Sequence, residues 1–162
     1  MKTFINEYIE WIIKALLIIL ILTILIYVFD VDSESGIQSI DSKKSSFEII
    51  ENNSKIFLYY FLLFPIMPVL FLLDLTSITT NIYFSFRLFG IWYTVENMYA
   101  HFFIEFFNLL FYTYLSYINF RVFWEFRSIK YVIKNVKKNY QLYLFSYLFL
   151  IIAGLVEGIA YA

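Results

Sequence analysis

His101 and Glu105 stand four residues apart in the run Met98–Phe111, whose other members are mostly apolar or aromatic, and His101 is the only histidine in the chain. At i and i+4 on a helix, two side chains lie one above the other with Cβ atoms about 5–6 Å apart. The same spacing supplies two ligands from one helix in the zincin peptidases. A run this apolar belongs in lipid, where an ionisable group is expensive and normally faces a protein interior or a watery cavity. Two further positions extend the set. Glu157 interrupts an otherwise uncharged stretch from 141 to 162, and Asn53, next to Asn52, stands just ahead of the apolar stretch 56–73.

These residue types support three kinds of chemistry. His101, Glu105 and Glu157, with Asn53 as a fourth donor, form a candidate site for Zn²⁺ or another divalent metal, with nitrogen and oxygen ligands and a position left for water. The same groups could instead transfer protons, His101 as base and Glu105 as a carboxylic acid of raised pKa. In the third case Glu105 or Glu157 pairs with Arg87 or with Asn side chains and holds helices together. Cysteine is absent, which removes disulfides, thiolate metal sites and cysteine nucleophiles.

The elements that position these residues follow from composition. The chain is 62% hydrophobic and 15% charged, with 20 Phe and 15 Tyr and a mean hydropathy of +0.74. A soluble domain is about 45–50% apolar and about 25% charged, so this is an all-α, polytopic integral membrane protein of one domain over residues 1–162. The net charge of −1 gives no surface for nucleic acid.

Five spans are expected, at about 11–29, 56–73, 75–95, 98–120 and 141–162, each sized for about 30 Å of hydrocarbon. Residues 1–14 read as an interfacial approach with Phe4, Ile5, Tyr8, Ile9 and Ile12 on one face and Trp11 at headgroup level. The first span is followed by Asp30-Val-Asp-Ser-Glu rather than a small-residue cleavage site, and reads as an uncleaved anchor. Pro65 and Pro68 kink the second span. Asp74 reads as a helix end closing it, and Arg87 as a mid-span cation that needs a carboxylate or helix-end carbonyls.

The loops set the orientation. Residues 30–54 carry six carboxylates against Lys43 and Lys44, with a short surface helix expected from about Ser45–Phe47; residues 121–138 carry six basic residues against Glu125. The positive-inside rule makes 121–138 cytoplasmic and 30–54 extracytoplasmic, with the N-terminus inside and the C-terminus outside. Asp74 then becomes a cytoplasmic helix end. His101, Glu105, Asn53 and Glu157 all come out at one depth, Glu157 about 7–8 Å below the outer end of its span.

Three motifs in this order carry a resemblance: Glu51-Asn-Asn-Ser-Lys-Ile-Phe57, His101-x-x-x-Glu105 and Ala153-Gly-Leu-Val-Glu-Gly158. Together they resemble the stage II sporulation protein M family of bacterial membrane proteins over roughly residues 45–162. Ala100, Phe102 and Phe107 stand where that family has proline, glycine and proline, and Gly90 alone remains of a glycine-rich segment, as in a divergent branch. The resemblance implies five spans in a cell membrane, a homodimer, and a metal site whose matching positions are Asn53, His101, Glu105 and Glu157. The chain is similar in its shortness and lost glycines to the branch associated with circular bacteriocins. That branch implies a role in maturing a hydrophobic precursor peptide, by leader processing or cyclisation, or in exporting it with transporter subunits. A membrane-embedded metal-dependent peptidase or cyclase would be the enzyme. The alternative branch implies a non-enzymatic scaffold for peptidoglycan-remodelling partners in endospore engulfment.

Overall fold

Two prolines place a sharp break between two helices. A computed structural model describes residues 2–29, 46–92 and 102–160, with side chains from 4–29, 46–92 and 104–156. Helix α2 runs Ser46–Leu62 and stops ahead of Pro65. A single 3-10 turn, Phe64–Ile66, follows, and α3 runs Met67–Phe89 with Pro68 in its first turn. There the missing N–H has no helical partner to lose. The expected boundary between spans at Asp74 is therefore corrected: α3 passes through Asp74 without interruption. A proline ends a helix because it removes a donor and clashes with the preceding turn. A carboxylate ends one only when it must reach water, and the Tyr60 hydroxyl donates to Asp74 Oδ2 at 2.7 Å.

The other end of α3 also differs from expectation. Gly90 closes it at φ +82°, a conformation that strains any side chain. Arg87 belongs to the last turn and is exposed rather than buried mid-span, where a cation complements the carbonyl end of the helix. Helix α2 starts at Ser46, as the sequence suggested for a helix near Ser45–Phe47. It continues unbroken, so residues 46–54 of the expected loop are its first turns. Residues 30–45 lie outside the described residues.

Helix α1 runs Lys2–Val28 as one element and has no separate interfacial approach. Tyr8, Trp11, Ile12, Ala15, Ile18, Ile19 and Leu22 form the stripe that packs on the core, the three-four spacing of one helix face. Ala15 is fully buried. Ile5 and Ile9 point outward instead. Trp11 faces the core: its indole stacks on Phe71 and Tyr117, each at 4.7 Å between centroids, and its Nε1–H donates to Thr113 Oγ1 at 3.3 Å.

Helix α4, Phe102–Phe126, is the axis of the molecule. Every other described helix touches it. Leu110, Thr113, Tyr114, Leu115, Ser116 and Asn119 have almost no exposed surface, so it shows no single apolar face. Its polar residues meet its neighbours. Tyr8 Oη donates to the Phe107 carbonyl at 3.2 Å, Ser116 Oγ to the Tyr60 carbonyl at 2.7 Å, and Tyr143 Oη to the Leu115 carbonyl at 3.4 Å. Such interhelical hydrogen bonds are how polar residues are accommodated away from water.

The stretch 121–138, expected as a basic loop, is helical for most of its length. It holds the last turns of α4, a corner at Arg127–Ser128, and a separate helix α5, Ile129–Lys138. Helix α6, Tyr140–Ala160, follows at 70° to α5. The described residues contain no strand. Among them, Phe4–Val28 and Phe64–Phe89 are long and apolar enough to cross a membrane, and α5 with α6 makes a third if that bent pair is one span. Helix α2 has only 17 residues, and α4 buries the polar residues Asn108, Thr113, Ser116 and Asn119 along its length.

Candidate functional site

Helices α2, α4 and α6 converge where the sequence placed its polar residues. Asn53 lies two turns into α2, on the side facing α4, whereas its neighbour Asn52 is exposed. Glu105 lies in the first described turn of α4. Asn53 Nδ2 donates to Glu105 Oε1 at 2.5 Å across 52 residues of sequence. This is a short hydrogen bond of the kind a carboxylate accepts.

The pair borders a cavity of about 160 Å³. Its other walls are Ile56 of α2, Ile78 of α3, Phe106, Asn108, Leu109 and Tyr112 of α4, and Leu150 and Ala153 of α6. The space suits a few waters, an ion or one side chain, and its polar groups gather on the α2–α4 side. Asn108 is buried, and its Oδ1 accepts from Ser146 Oγ at 3.2 Å. That contact fixes α6 against α4 just below the cavity.

Helix α6 approaches α2 closely because Gly154 has no side chain. A Cβ there would meet Ile50 Cγ1 at 2.6 Å. Ile50 is one turn before Asn53, and Gly154 follows the cavity-lining Ala153. Ala153-Gly154 is thus a packing device that brings the end of α6 against the Asn53 turn of α2. Glu157 lies one turn beyond Ala153 on the same helix, and its side chain falls outside the described residues. So does His101, in the segment just before α4. The structure therefore brings Asn53 and Glu105 together and leaves the placement of His101 and of the Glu157 carboxylate undescribed. Among the described residues no three His, Cys, Asp or Glu side chains cluster as a metal site.

As donors, Glu105 and Asn53 fit part of a metal site. They offer a carboxylate and an amide oxygen at the edge of the 160 Å³ cavity, matching the ligand types for Zn²⁺ or a harder divalent ion. Alone they are two ligands, and completing a site takes the other two positions.

Sequence reasoning missed a second polar group one level deeper. Tyr60 and Asp74 form a hydrogen-bonded pair between α2 and α3, and the Tyr60 ring lies 5.4 Å from that of Tyr112, which lines the cavity. The available signal was the Pro65/Pro68 pair. Taking the helix break there puts Asp74 two turns inside α3 and makes it a mid-helix carboxylate in need of a donor.

Comparison with protein-family models, with curated proteins and with solved structures gave no match for this chain.

Proposed function

We propose that the chain is a multi-pass protein of a bacterial cell membrane, with five spans, the N-terminus inside and the C-terminus outside, whose cavity is a site for handling a hydrophobic peptide. On this reading it belongs with the divergent, circular-bacteriocin-associated branch of the stage II sporulation protein M family, and serves maturation or export of the precursor. The Asn53–Glu105 hydrogen bond is the observation that carries the reading. It unites two of the three motifs on which the resemblance rests, and α6 brings the third motif's Ala153 to the same cavity.

In this reading Glu105 is the acid–base group, held in orientation by the Asn53 amide, and His101 and Glu157 complete the site. A divalent metal held by His101, Glu105, Glu157 and Asn53 would polarise a peptide carbonyl and lower the pKa of a bound water. The cavity admits one side chain, so a peptide backbone would lie across its mouth, with Glu105 and Asn53 in reach and apolar walls excluding water. Helices α2 and α4 count as spans because α4's polar groups face neighbours and α2's charges cluster at its start.

One observation favours a second reading. Glu105 already has a good partner in Asn53, as a residue that only joins helices would, and this suits a non-enzymatic scaffold for peptidoglycan-remodelling partners. The test is a His101→Ala strain in which the protein is made and inserted. The enzymatic reading expects unprocessed precursor peptide to accumulate. Normal processing overturns it and leaves the scaffold. A genome neighbourhood holding a small hydrophobic precursor and transporter genes supports the bacteriocin branch; sporulation genes there support the other.

A further inference from the structure

The ten residues of α5 divide their surface three ways. At 100° per residue, Val132, Asn135 and Val136 share the side that packs inward, and Val132 is 4% exposed. Asn135 Nδ2 donates on that side to Asn119 Oδ1 of α4 at 2.9 Å. Next round the helix come Ile129 and Ile133, which are 57% and 49% exposed. Beyond these come Lys130, Lys134, Lys137 and Lys138, all exposed. No acidic residue lies on α5, and none of the four lysines makes an ion pair among the described residues.

The surroundings carry the marks of a membrane–water boundary. Trp124 and Phe126, at the end of α4, are about half exposed. The Phe126 ring stacks on Tyr131 at 4.5 Å, and the Arg127 guanidinium lies 3.9 Å over the Trp124 ring, a cation–π contact. Arg127 takes φ +48° at the corner that redirects the chain. Aromatic residues of this kind collect at headgroup level. With α6 as the span and upright in the bilayer, the 70° bend would set α5 about 20° from the membrane plane.

We infer that α5 is an in-plane helix that binds the headgroups of anionic lipids, with Ile129 and Ile133 in the acyl boundary and Lys130, Lys134, Lys137 and Lys138 on the phosphates. Charge complementarity and the order of the faces select this occupant. The exposed isoleucines lie between the protein and the lysines, so one surface offers an apolar foot beside a row of ammonium groups. Each lysine close to an anionic surface is worth about fivefold in binding, and the effect weakens as salt rises. The inference rests on α6 being a span but on nothing about the Glu105 site.

The test uses the full chain reconstituted into vesicles of phosphatidylcholine mixed with phosphatidylglycerol, then extracted in mild detergent with its retained lipid. Wild type should carry phosphatidylglycerol enriched several-fold over the bulk mixture. The Lys130→Gln/Lys134→Gln/Lys137→Gln/Lys138→Gln variant should return to the bulk ratio, the corresponding four Lys→Arg changes should keep the enrichment, and Lys55→Gln on α2 should leave it unchanged. Because the chain has no cysteine, an environment-sensitive dye on Ile133→Cys reports depth directly, and its emission should shift to the blue in vesicles. A wild-type ratio equal to the bulk, or enrichment that survives in the four-glutamine variant, overturns lipid binding by α5. A dye at 133 that stays in water in these vesicles overturns the in-plane placement. Impermeant thiol labelling of Lys134→Cys from the outer face of cells would contradict the proposed orientation alone.

Discussion

The two ends of α4 use polar residues in opposite ways. Near its start, Glu105 borders an open cavity, and its described partner is one amide from a distant helix. Near its end, Asn119 is packed shut: its Oδ1 accepts from Asn135 Nδ2, and Asn139 Nδ2 donates in turn to Asn135 Oδ1 at 2.9 Å. Among the described residues the buried Asn119 Nδ2 has no hydrogen-bond partner, so even the closed end is not fully satisfied. Polarity alone does not separate a site from a joint. Free space beside the polar group does, and on α4 the space lies at the Glu105 end.

Substitutions can break or sharpen that contrast, and the largest effect is expected at Gly154. Gly154→Leu forces α6 away from Ile50 and should cost about 3 kcal/mol, within the upper range for overpacking. A fall in Tm in detergent, with loss of function, is the expected result, because the same contact holds the cavity together. Tyr60→Phe should cost about 1–3 kcal/mol, since it leaves the Asp74 carboxyl without its donor; the measurement is again thermal unfolding. Asn119→Leu should cost only about 1 kcal/mol: Asn135 loses an acceptor, but the unpartnered Nδ2 is removed as well. The smallest effect on stability belongs to Glu105→Gln. It should stay within about 1 kcal/mol of wild type, and on the enzymatic reading it should also abolish precursor processing. If it unfolds as readily as Tyr60→Phe, the cavity end is a joint like the other end, and the contrast fails.

Much of this arrangement was legible in the sequence. Counting spans from the charge of the flanking stretches put Asn53 and Glu105 at one depth, and they meet. The Ala153-Gly154 pair stood in a recognisable motif, although its role in letting α6 approach α2 needs coordinates. Misreadings came where one residue type has two uses. Asp74 resembled a helix end because an unpaired carboxylate seeks water, but a tyrosine fourteen residues earlier supplies the donor. For Trp11 the sequence suggested a level but not its partners, the Phe71 ring and Thr113. The lysines of 130–138 read as a loop because charge dominated the count. The apolar positions 129, 132, 133 and 136 carry the helical period and were the signal to follow.

The account stands on Glu157 sharing one site with Glu105. A cysteine-free chain allows this to be measured without background. In membranes bearing Glu105→Cys/Glu157→Cys, a short bis-thiosulfonate cross-linker should join the two positions, so that fragments cut between 121 and 138 stay together until reduced. Asn53→Cys/Glu105→Cys, whose native side chains touch, serves as the positive control and Leu20→Cys/Glu105→Cys as the negative one, both read with a cut placed between 93 and 100 so that the two positions fall on different fragments. Cross-linking of the 105–157 pair at the efficiency of the 53–105 pair is the result the account predicts. Linkage of 53 to 105 with none between 105 and 157, in protein that is fully inserted, would contradict it.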